Sequence, residues 1–94
     1  MPRALRETSQ FKKDKKRIKG SVRYNWAKLI EAVKQLMHDG PLQQKYRDHD
    51  LTGEYAGVRE CHIAPDWLLI YDKTGDAISG ELILIRIGSH SELF

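Results

Sequence analysis

The second half of the chain contains three short apolar stretches separated by turn-forming residues, and this pattern constrains the fold most. The stretches cover residues 58–63, 67–72 and 82–88, each of a typical strand length. Ala64-Pro65 can form a tight turn between the first two, and Lys73-Thr-Gly-Asp begins the second connection. Because strands joined by such short connections pair antiparallel, the pattern predicts a three-stranded meander.

The first third of the chain predicts one strand and two helices. Residues 3–7 are expected to form a short opening strand, after which Thr8 or Ser9 can cap a helix that continues to Lys19. Residues 26–37 have the i, i+3, i+4, i+7 spacing of an amphipathic helix, through Trp26, Leu29, Ile30, Val33, Leu36 and Met37. The order β-α-α-β-β-β therefore predicts an α+β fold in which two N-terminal helices pack on a small, mainly antiparallel sheet.

Alternation of side chains divides the last predicted strand into two faces. The two sets are Ile83, Ile85 and Ile87 on one side and Leu82, Leu84 and Arg86 on the other. We expect the isoleucine set to face the core under the second helix. The opposite face is then free to bind, and the guanidinium of Arg86 is expected to be hydrated there.

Basic residues are concentrated in the first third of the 94-residue chain, which is expected to form a single domain over residues 1–94. Residues 1–30 have ten Lys or Arg and two acidic residues, whereas residues 31–94 have six Lys or Arg and eleven acidic residues. Dense positive charge attracts polyanions by counterion release, so nucleic acid is the leading partner and a solvated helix face is the alternative. The residues expected to contact RNA are Lys12, Lys13, Lys15, Lys16 and Arg17.

Two classes of protein do not fit the sequence. No apolar run approaches the roughly 20 residues of a membrane span, and the start has no apolar signal segment, so we expect a cytoplasmic protein without membrane contact. Cys61 is the only cysteine, so an internal disulfide is impossible. Its position in a strand pattern favours a buried thiol over a nucleophile.

A set of titratable residues in the second half could cut RNA without a metal. Its members are His49, His62, Asp66, Arg86 and His90. Histidine can remove a proton from the 2′-hydroxyl or return one to the 5′-oxygen near neutral pH. Arginine matches the oxygens of the phosphate that is attacked. Trp67 and Phe94 could stack on exposed bases.

Each of these residues also has a structural interpretation. His49 could be a surface loop residue, His90 part of a frayed tail, and Trp67 a core residue. A zinc or manganese site formed by His49, His62, Asp66 and His90 is a rival hypothesis, because imidazole and carboxylate are common ligands of these metals. The spacing matches no compact ligand motif, so we expect no metal and no cofactor.

Three segments of the chain resemble YafQ-type toxins of the RelE superfamily. They are Tyr46-Arg-Asp-His-Asp-Leu-Thr-Gly53, Val58-Arg-Glu-Cys-His-Ile-Ala-Pro-Asp-Trp-Leu-Leu-Ile-Tyr71 and Arg86-Ile-Gly-Ser-His-Ser-Glu-Leu-Phe94. The resemblance implies a RelE-like toxin domain that enters the ribosomal A site and inhibits translation as a metal-independent mRNA endoribonuclease. By motif it assigns functional roles to His49, His62, Asp66, Trp67, Arg86, His90 and Phe94.

The resemblance also implies a partner, a cognate DinJ- or RelB-like antitoxin of acidic or mixed helical character. Operator DNA would be contacted only through that antitoxin. Two departures from the family pattern are modest: Ile87 replaces a commonly polar residue, and the segment 72–80 is slightly long. Two other functions stay open, a ParE-like inhibitor of DNA gyrase that acts by contact alone, and an inactive toxin that still binds its antitoxin and represses the operon.

Overall fold

The computed structural model describes residues 3–20, 24–38, 40, 42–76 and 78–94. Its elements are β1 (Ala4–Glu7), α1 (Ser9–Ile18), α2 (Trp26–Leu36), β2 (His49–Asp50), β3 (Arg59–Ala64), β4 (Trp67–Thr74), β5 (Glu81–Gly88) and α3 (His90–Leu93). The strands form one sheet in the order β1-β5-β4-β3-β2. The predicted α+β fold is confirmed. The two-residue strand β2 and the short helix α3 were not predicted from the sequence.

Capping residues define the start of both N-terminal helices. The side chain of Thr8 accepts a hydrogen bond from the amide of Phe11 at 3.1 Å, and Asn25 accepts one from the amide of Ala27 at 3.1 Å. Each bond satisfies an amide that has no partner inside its helix. Phe11 and Ile18 of α1 are buried together with Leu29 of α2, so both helices contribute to one core.

Strand register brings distant residues into one row across the sheet. Glu60 of β3 lies opposite Ile70 of β4, and Ile70 lies opposite Arg86 of β5. At the far edge, His49 of β2 lies opposite Glu60. Because directly opposite residues share a face, these four side chains emerge on the same side of the sheet. At the other edge of the sheet lies β1, which pairs parallel with β5.

The expectation that the isoleucines of β5 form the core is wrong for two of the three. Leu82 and Leu84 are 0% and 2% exposed and belong to the main core with Ile87, whereas Ile83 and Ile85 are only half-buried. The leucines face the core because α1 and α2 cover their side of the sheet. Ile87 joins them although it lies an odd number of residues away.

A β-bulge in β5 explains this change of face. Tyr71 pairs with Leu84 and the preceding Ile70 pairs with Arg86, so Ile85 has no residue opposite it on β4. One extra residue reverses the alternation beyond it. Arg86 therefore lies on the side away from the main core, as the sequence predicted, but for a reason that the sequence pattern did not contain.

The two faces of the sheet are covered unequally. The face away from α1 and α2 has a smaller cluster formed by Leu68, Ile70 and Leu93, with Leu51 and Tyr55 packed against it. Part of the predicted free face is thus occupied by α3 and by the segment before β3. The rest is open.

In the described part of the chain, no helix combines the length and apolar character that crossing a membrane requires.

Candidate active site

Three histidines from separate elements lie together on the open part of this face. The ring centroid of His62 is 6.1 Å from that of His49 and 6.0 Å from that of His90. His49 comes from β2, His62 from β3 and His90 from the first turn of α3. Side chains that are far apart in the sequence are therefore close enough for one phosphodiester to contact more than one of them.

His90 is fixed by the short helix that begins with it. Ser89 and Glu92 form a capping box, in which Ser89 Oγ accepts the Glu92 amide at 3.3 Å and Glu92 Oε1 accepts the Ser89 amide at 2.8 Å. The carboxylate of Asp66 accepts the His90 amide at 3.0 Å and lies 2.9 Å from its Nδ1. Because a carboxylate can only accept, Nδ1 has the proton and Nε2 is left to react. His90 is not part of a frayed tail.

Backbone strain is present on both sides of the histidine cluster. Asp66 and Arg47 have φ values of 55° and 48°, and they are the two non-glycine residues with positive φ in the described ranges. The left-handed region is costly for a residue with a Cβ, and such strain often accompanies function. The Arg47 carbonyl lies 2.7 Å from His49 Nδ1, so this strained segment also orients the His49 ring.

The segment that contains His49 is anchored to the sheet through the neighbouring Asp48. Its carboxylate accepts hydrogen bonds from the hydroxyl of Tyr71 and from Arg59 Nε, the latter at 3.1 Å. Burial raises the pKa of Tyr71, as do the hydrogen bond to Asp48 and its charge, so the phenol stays protonated. These contacts attach β2 to β3 and β4 and limit the movement of His49.

Glu60 is a site residue that the sequence interpretation missed. Its side chain is 5% exposed, and Oε1 lies 3.3 Å from His49 Nε2 and 3.8 Å from His62 Nε2. Oε2 is buried and has no hydrogen-bond partner among the described residues. A signal was available, because Glu60 and His62 are two apart in a predicted strand and share a face.

The environment of His62 favours its neutral form. Burial lowers the pKa of His62, and although the charge of Glu60 opposes this change, His49, His90 and Arg47 add to it. A lowered pKa leaves an unprotonated ring nitrogen available near neutral pH. His62 can therefore accept a proton in this site.

Arg86 is bound by a buried carboxylate, which corrects the expectation of a hydrated guanidinium. Asp14 of α1 accepts hydrogen bonds from Arg86 Nε at 2.6 Å and Nη2 at 3.1 Å, and from the Ile87 amide at 3.2 Å. Asp14 can reach this amide because β1 pairs with β5 only as far as Leu84. The Arg86 side chain is 17% exposed.

The two charges of this pair stabilise each other. Burial by itself raises the pKa of Asp14, but hydrogen bonds from Arg86 and Ile87, with the charges of Arg86 and Arg17, lower it overall. The hydrogen bond to Asp14 is the main cause of the raised pKa of Arg86. Both groups therefore stay ionised, and a hydrogen bond with Tyr55 adds to the raised pKa of Arg86.

Trp67 cannot stack on bases, as the sequence had suggested, because it is 1% exposed. It lies on the face covered by the helices, where its ring stacks 6.3 Å from that of Trp26 and lies 4.9 Å from that of Tyr24. In β4 it shares this face with Leu69 and Tyr71 of the main core. The interpretation of Trp67 as a core residue is the right one.

Phe94 is the aromatic residue that lies beside the histidines. It is 62% exposed, its ring is 6.4 Å from that of His90, and it contacts the edge of Tyr55 at 5.7 Å. Capping of α3 positions it, since the Phe94 amide donates to the carbonyl of His90 at 2.9 Å. An exposed ring in this position can stack on a base.

The lysine-rich surface of α1 is only partly free. Lys12, Lys13 and Lys16 are exposed, whereas Lys15 pairs with Glu7 at 3.0 Å. Arg17 pairs with Asp14 at 3.1 Å and with Glu92 at 3.3 Å. The run thus contributes to the structure around Arg86 as well as to the surface charge.

A metal ion could be held in this cluster by a different set of residues from the one considered in the sequence. His49, Glu60 and His62 each offer one ligand atom, and these atoms lie within 4.8 Å of one another. Imidazole nitrogens with one carboxylate suit zinc or copper, and the unpartnered Glu60 Oε2 fits such a donor set. Asp66, which the sequence hypothesis included, is instead engaged by His90.

The fold and the histidine cluster define a small α+β protein of the RelE-like class. Residues 3–94 match the family described as bacterial toxin of type II toxin-antitoxin system, YafQ. The chain belongs to this family. It is 43% identical over 54 residues to the mRNA interferase toxin YafQ of Escherichia coli K12, a match that covers 57% of this chain and 54% of that protein. Matches to three curated relatives span 54% to 65% of their lengths.

Solved structures match over the whole chain. The copper-bound mutant toxin from Helicobacter pylori is 38% identical and has a TM-score of 0.84, and the match covers 100% of this chain and 100% of that one. The DinJ-YafQ toxin-antitoxin complex of E. coli has a chain that is 33% identical with a TM-score of 0.83, over 100% of this chain and 99% of that one. The first structure contains copper, and the second contains an antitoxin.

Proposed function

We propose that this toxin inhibits translation by cutting mRNA on the ribosome, in the cytoplasm, through metal-independent attack of the RNA 2′-hydroxyl. Membership of the YafQ family and the mRNA interferase name of the E. coli relative support this function. The observation that carries it is the position of His62, whose ring lies about 6 Å from two other imidazole rings on an open sheet face. Two proton carriers at this separation suit transphosphorylation.

His62 is the proposed general base. Its lowered pKa keeps the ring neutral, so it can take the proton of the 2′-hydroxyl. The 2′-oxygen then forms a bond to phosphorus and the bond from phosphorus to the 5′-oxygen breaks, which gives a 2′,3′-cyclic phosphate and a 5′-hydroxyl. Glu60 and His49 hold the base in place through the contacts of the Glu60 carboxylate with both rings.

His90 is the proposed general acid, and Asp66 is its positioning residue. The carboxylate of Asp66 fixes Nδ1 and balances the positive charge of a protonated ring. Nε2 can then give its proton to the departing 5′-oxygen. A general base must begin neutral and a general acid must begin protonated. Activity should therefore rise with pH as His62 becomes neutral and fall at higher pH as His90 loses its proton.

Arg86 and Phe94 are proposed to hold the RNA during this step. The ion pair with Asp14 fixes Arg86 and leaves part of its guanidinium facing the sheet surface, where it can stabilise the phosphorane-like transition state. Phe94 can stack on a base next to the scissile bond. Stacking would separate neighbouring bases and favour in-line attack.

An acidic or mixed antitoxin of the DinJ type is the proposed partner, by analogy with the E. coli complex. The exposed lysines of α1 are available for contact with ribosomal RNA or with acidic antitoxin residues. Contact with operator DNA would then occur only through the antitoxin.

The test is to map transcript ends on translating ribosomes exposed to the purified protein, at constant Mg²⁺, with and without a chelator that removes zinc and copper from the toxin but leaves the Mg²⁺ that ribosomes need. We expect new 5′-hydroxyl ends that appear equally in both conditions, and their loss in His90→Ala and Arg86→Ala. His38→Ala is the matched control, because His38 is an exposed histidine outside the cluster. Cleavage that persists in His90→Ala would overturn the mechanism, and cleavage that stops in the zinc and copper chelator at constant Mg²⁺ would overturn metal independence.

A further inference from the structure

A second concave surface adjoins the histidine cluster and is not used by the proposed mechanism. It is a groove of about 440 Å³ between the start of α2, the 3₁₀ turn at Gln44–Tyr46 and the end of β3. His62 forms part of its wall, so the groove opens directly onto the proposed general base. A volume of this size falls within the range of about 300–1,000 Å³ that is usual for small-ligand sites.

The groove combines positive charge with apolar lining residues. Lys28, Lys45 and Arg47 line it, and Glu31 is the one acidic residue among the lining residues that the structure describes. Ile63, Ala64 and Pro65 add apolar atoms to the lining. A nucleotide has the same two parts, since a flat base avoids water and an anionic phosphate seeks cations.

The cations of the groove are available to an incoming anion. Lys45 has a partner in Glu31, but the 3.8 Å pair is 60% and 57% exposed and such pairs are weak. The Lys45 ammonium also lies 5.1 Å from the ring of Tyr46, which restrains its side chain. Arg47 is exposed, and its charge contributes to the lowered pKa of His62, so an anion bound in the groove can reach this guanidinium.

This charge is separate from the lysine run of α1. The sheet order places β5, against which α1 packs, two strands away from β3, whereas the groove lies at the β3 side. The two basic surfaces therefore cannot serve the same phosphates of a short RNA segment. The groove is the surface that His62 lines.

We propose that the groove is a nucleotide subsite for single-stranded RNA, which holds the residue next to the cleaved bond. The base lies on Ile63 and the Ala64-Pro65 turn, and the adjoining phosphates contact Lys28, Lys45 and Arg47. The assignment rests on the proposed function, because only cleavage at His62 makes the neighbouring nucleotide part of the substrate. It adds a determinant of RNA binding and of sequence preference outside the reacting residues.

The test measures binding of a fluorescent 2′-O-methyl RNA strand to the purified protein without ribosomes, by anisotropy over a range of salt concentrations. The methyl group blocks the attacking oxygen, so binding is recorded without cleavage. The double variant Lys28→Gln/Lys45→Gln is expected to weaken binding by about tenfold or more at low salt. The slope of log affinity against log salt should fall by about 1.4, because each lost phosphate contact removes about 0.7 for a single strand.

The matched control is Lys19→Gln/Lys34→Gln, which removes the same charge from two exposed lysines away from the groove. We expect this control to keep most of the wild-type affinity. Equal weakening in both double variants would show general attraction by charge and would overturn the proposal. So would failure of the wild-type protein to bind the single strand at all.

A duplex RNA of the same length separates the subsite from a contact with ribosomal RNA helices. If Lys28→Gln/Lys45→Gln weakens duplex binding more than single-strand binding, the groove contacts helical RNA and the subsite proposal is wrong. Failure of the proposed nuclease function is recorded independently, as absent mRNA cleavage on ribosomes by a protein that binds the uncleavable strand normally.

Discussion

Asp14 and Arg86 form a nearly buried ion pair that connects helix α1 to the site face of the sheet. Asp14 is completely buried, and its two oxygens accept from Nε and Nη2 of Arg86 at 2.6 and 3.1 Å. The same carboxylate accepts the Ile87 amide where β1 no longer pairs with β5. The position of a proposed phosphate-binding group therefore depends on a helix that supplies neither of the proposed proton carriers.

The first prediction concerns Asp14→Asn. This change keeps the shape of the side chain but leaves the guanidinium without its counter-charge, so we expect the free energy of unfolding to fall by roughly 3–5 kcal/mol. Cleavage should also weaken because Arg86 is no longer fixed. Urea unfolding and cleavage by the same preparation would check both effects. Glu81→Gln is the control, since it breaks only the exposed 3.4 Å pair with Arg6, and it should change stability by less than about 1 kcal/mol.

The second prediction is the pH dependence of that effect. The pKa of Asp14 is lowered in the folded protein, so its contribution is present above the unfolded value of about 3.9 and is lost as the pH falls through the folded value. The difference in unfolding free energy between wild type and Asp14→Asn should therefore be largest near pH 6 and shrink below about pH 4. Denaturant unfolding at three pH values would measure it, and a constant difference would contradict the assignment.

The third prediction separates the roles of His90 and Asp66. His90→Ala should reduce the cleavage rate by about 10²–10⁴-fold, the usual contribution of general acid-base catalysis. Asp66→Asn should have a smaller effect on the maximal rate and should change its pH profile. The asparagine Oδ1 can still accept from the His90 backbone amide and from ring Nδ1, but the negative charge beside the ring is lost. Asparagine tolerates the left-handed backbone at this position, so the turn should persist. An unchanged pH profile would argue against a positioning role.

The fourth prediction uses the titration of His62. Its pKa is already below the ordinary value, and the charge of Glu60 raises it against the effect of burial. Glu60→Gln should therefore lower the pKa of His62 further, which NMR titration of the ring resonances would record. Asp72→Asn removes a carboxylate in β4 outside the cluster and should leave the titration unaltered. An unchanged pKa of His62 in the Glu60→Gln variant would mean that Glu60 does not act on this ring, and a rise would mean that it acts in the opposite direction.

The fifth prediction contrasts the two aromatic residues that the sequence placed in one group. Phe94→Ala should weaken RNA engagement by about 1–3 kcal/mol, the usual range for base stacking. Its stability should change little, since Phe94 is 62% exposed. Trp67→Ala should instead cost about 3–5 kcal/mol of stability. Unfolding midpoints and binding of the uncleavable RNA strand would distinguish the two outcomes.

Much of the site could be predicted because its residue types are rare and chemically specific. His49, His62 and His90 were all singled out from the sequence, and the structure brings their rings together. Glu60 was missed because its two-residue spacing from His62 indicates a shared face but not a contact, which only the folded chain reveals. The partner of Arg86 was missed for the same reason, since Asp14 lies within a run of lysines.

The sequence by itself determined the order of the main elements, the antiparallel meander and the histidines that are candidates for the site. Those features depend on local periodicity, turn residues and side-chain chemistry, which any short window of the chain contains. Tertiary structure decided which face each residue occupies, through the bulge at Ile85 that reverses alternation in β5. It also decided that Trp67 packs under α2 and that Asp14 binds Arg86, because burial and ion pairing depend on contacts between segments far apart in the sequence.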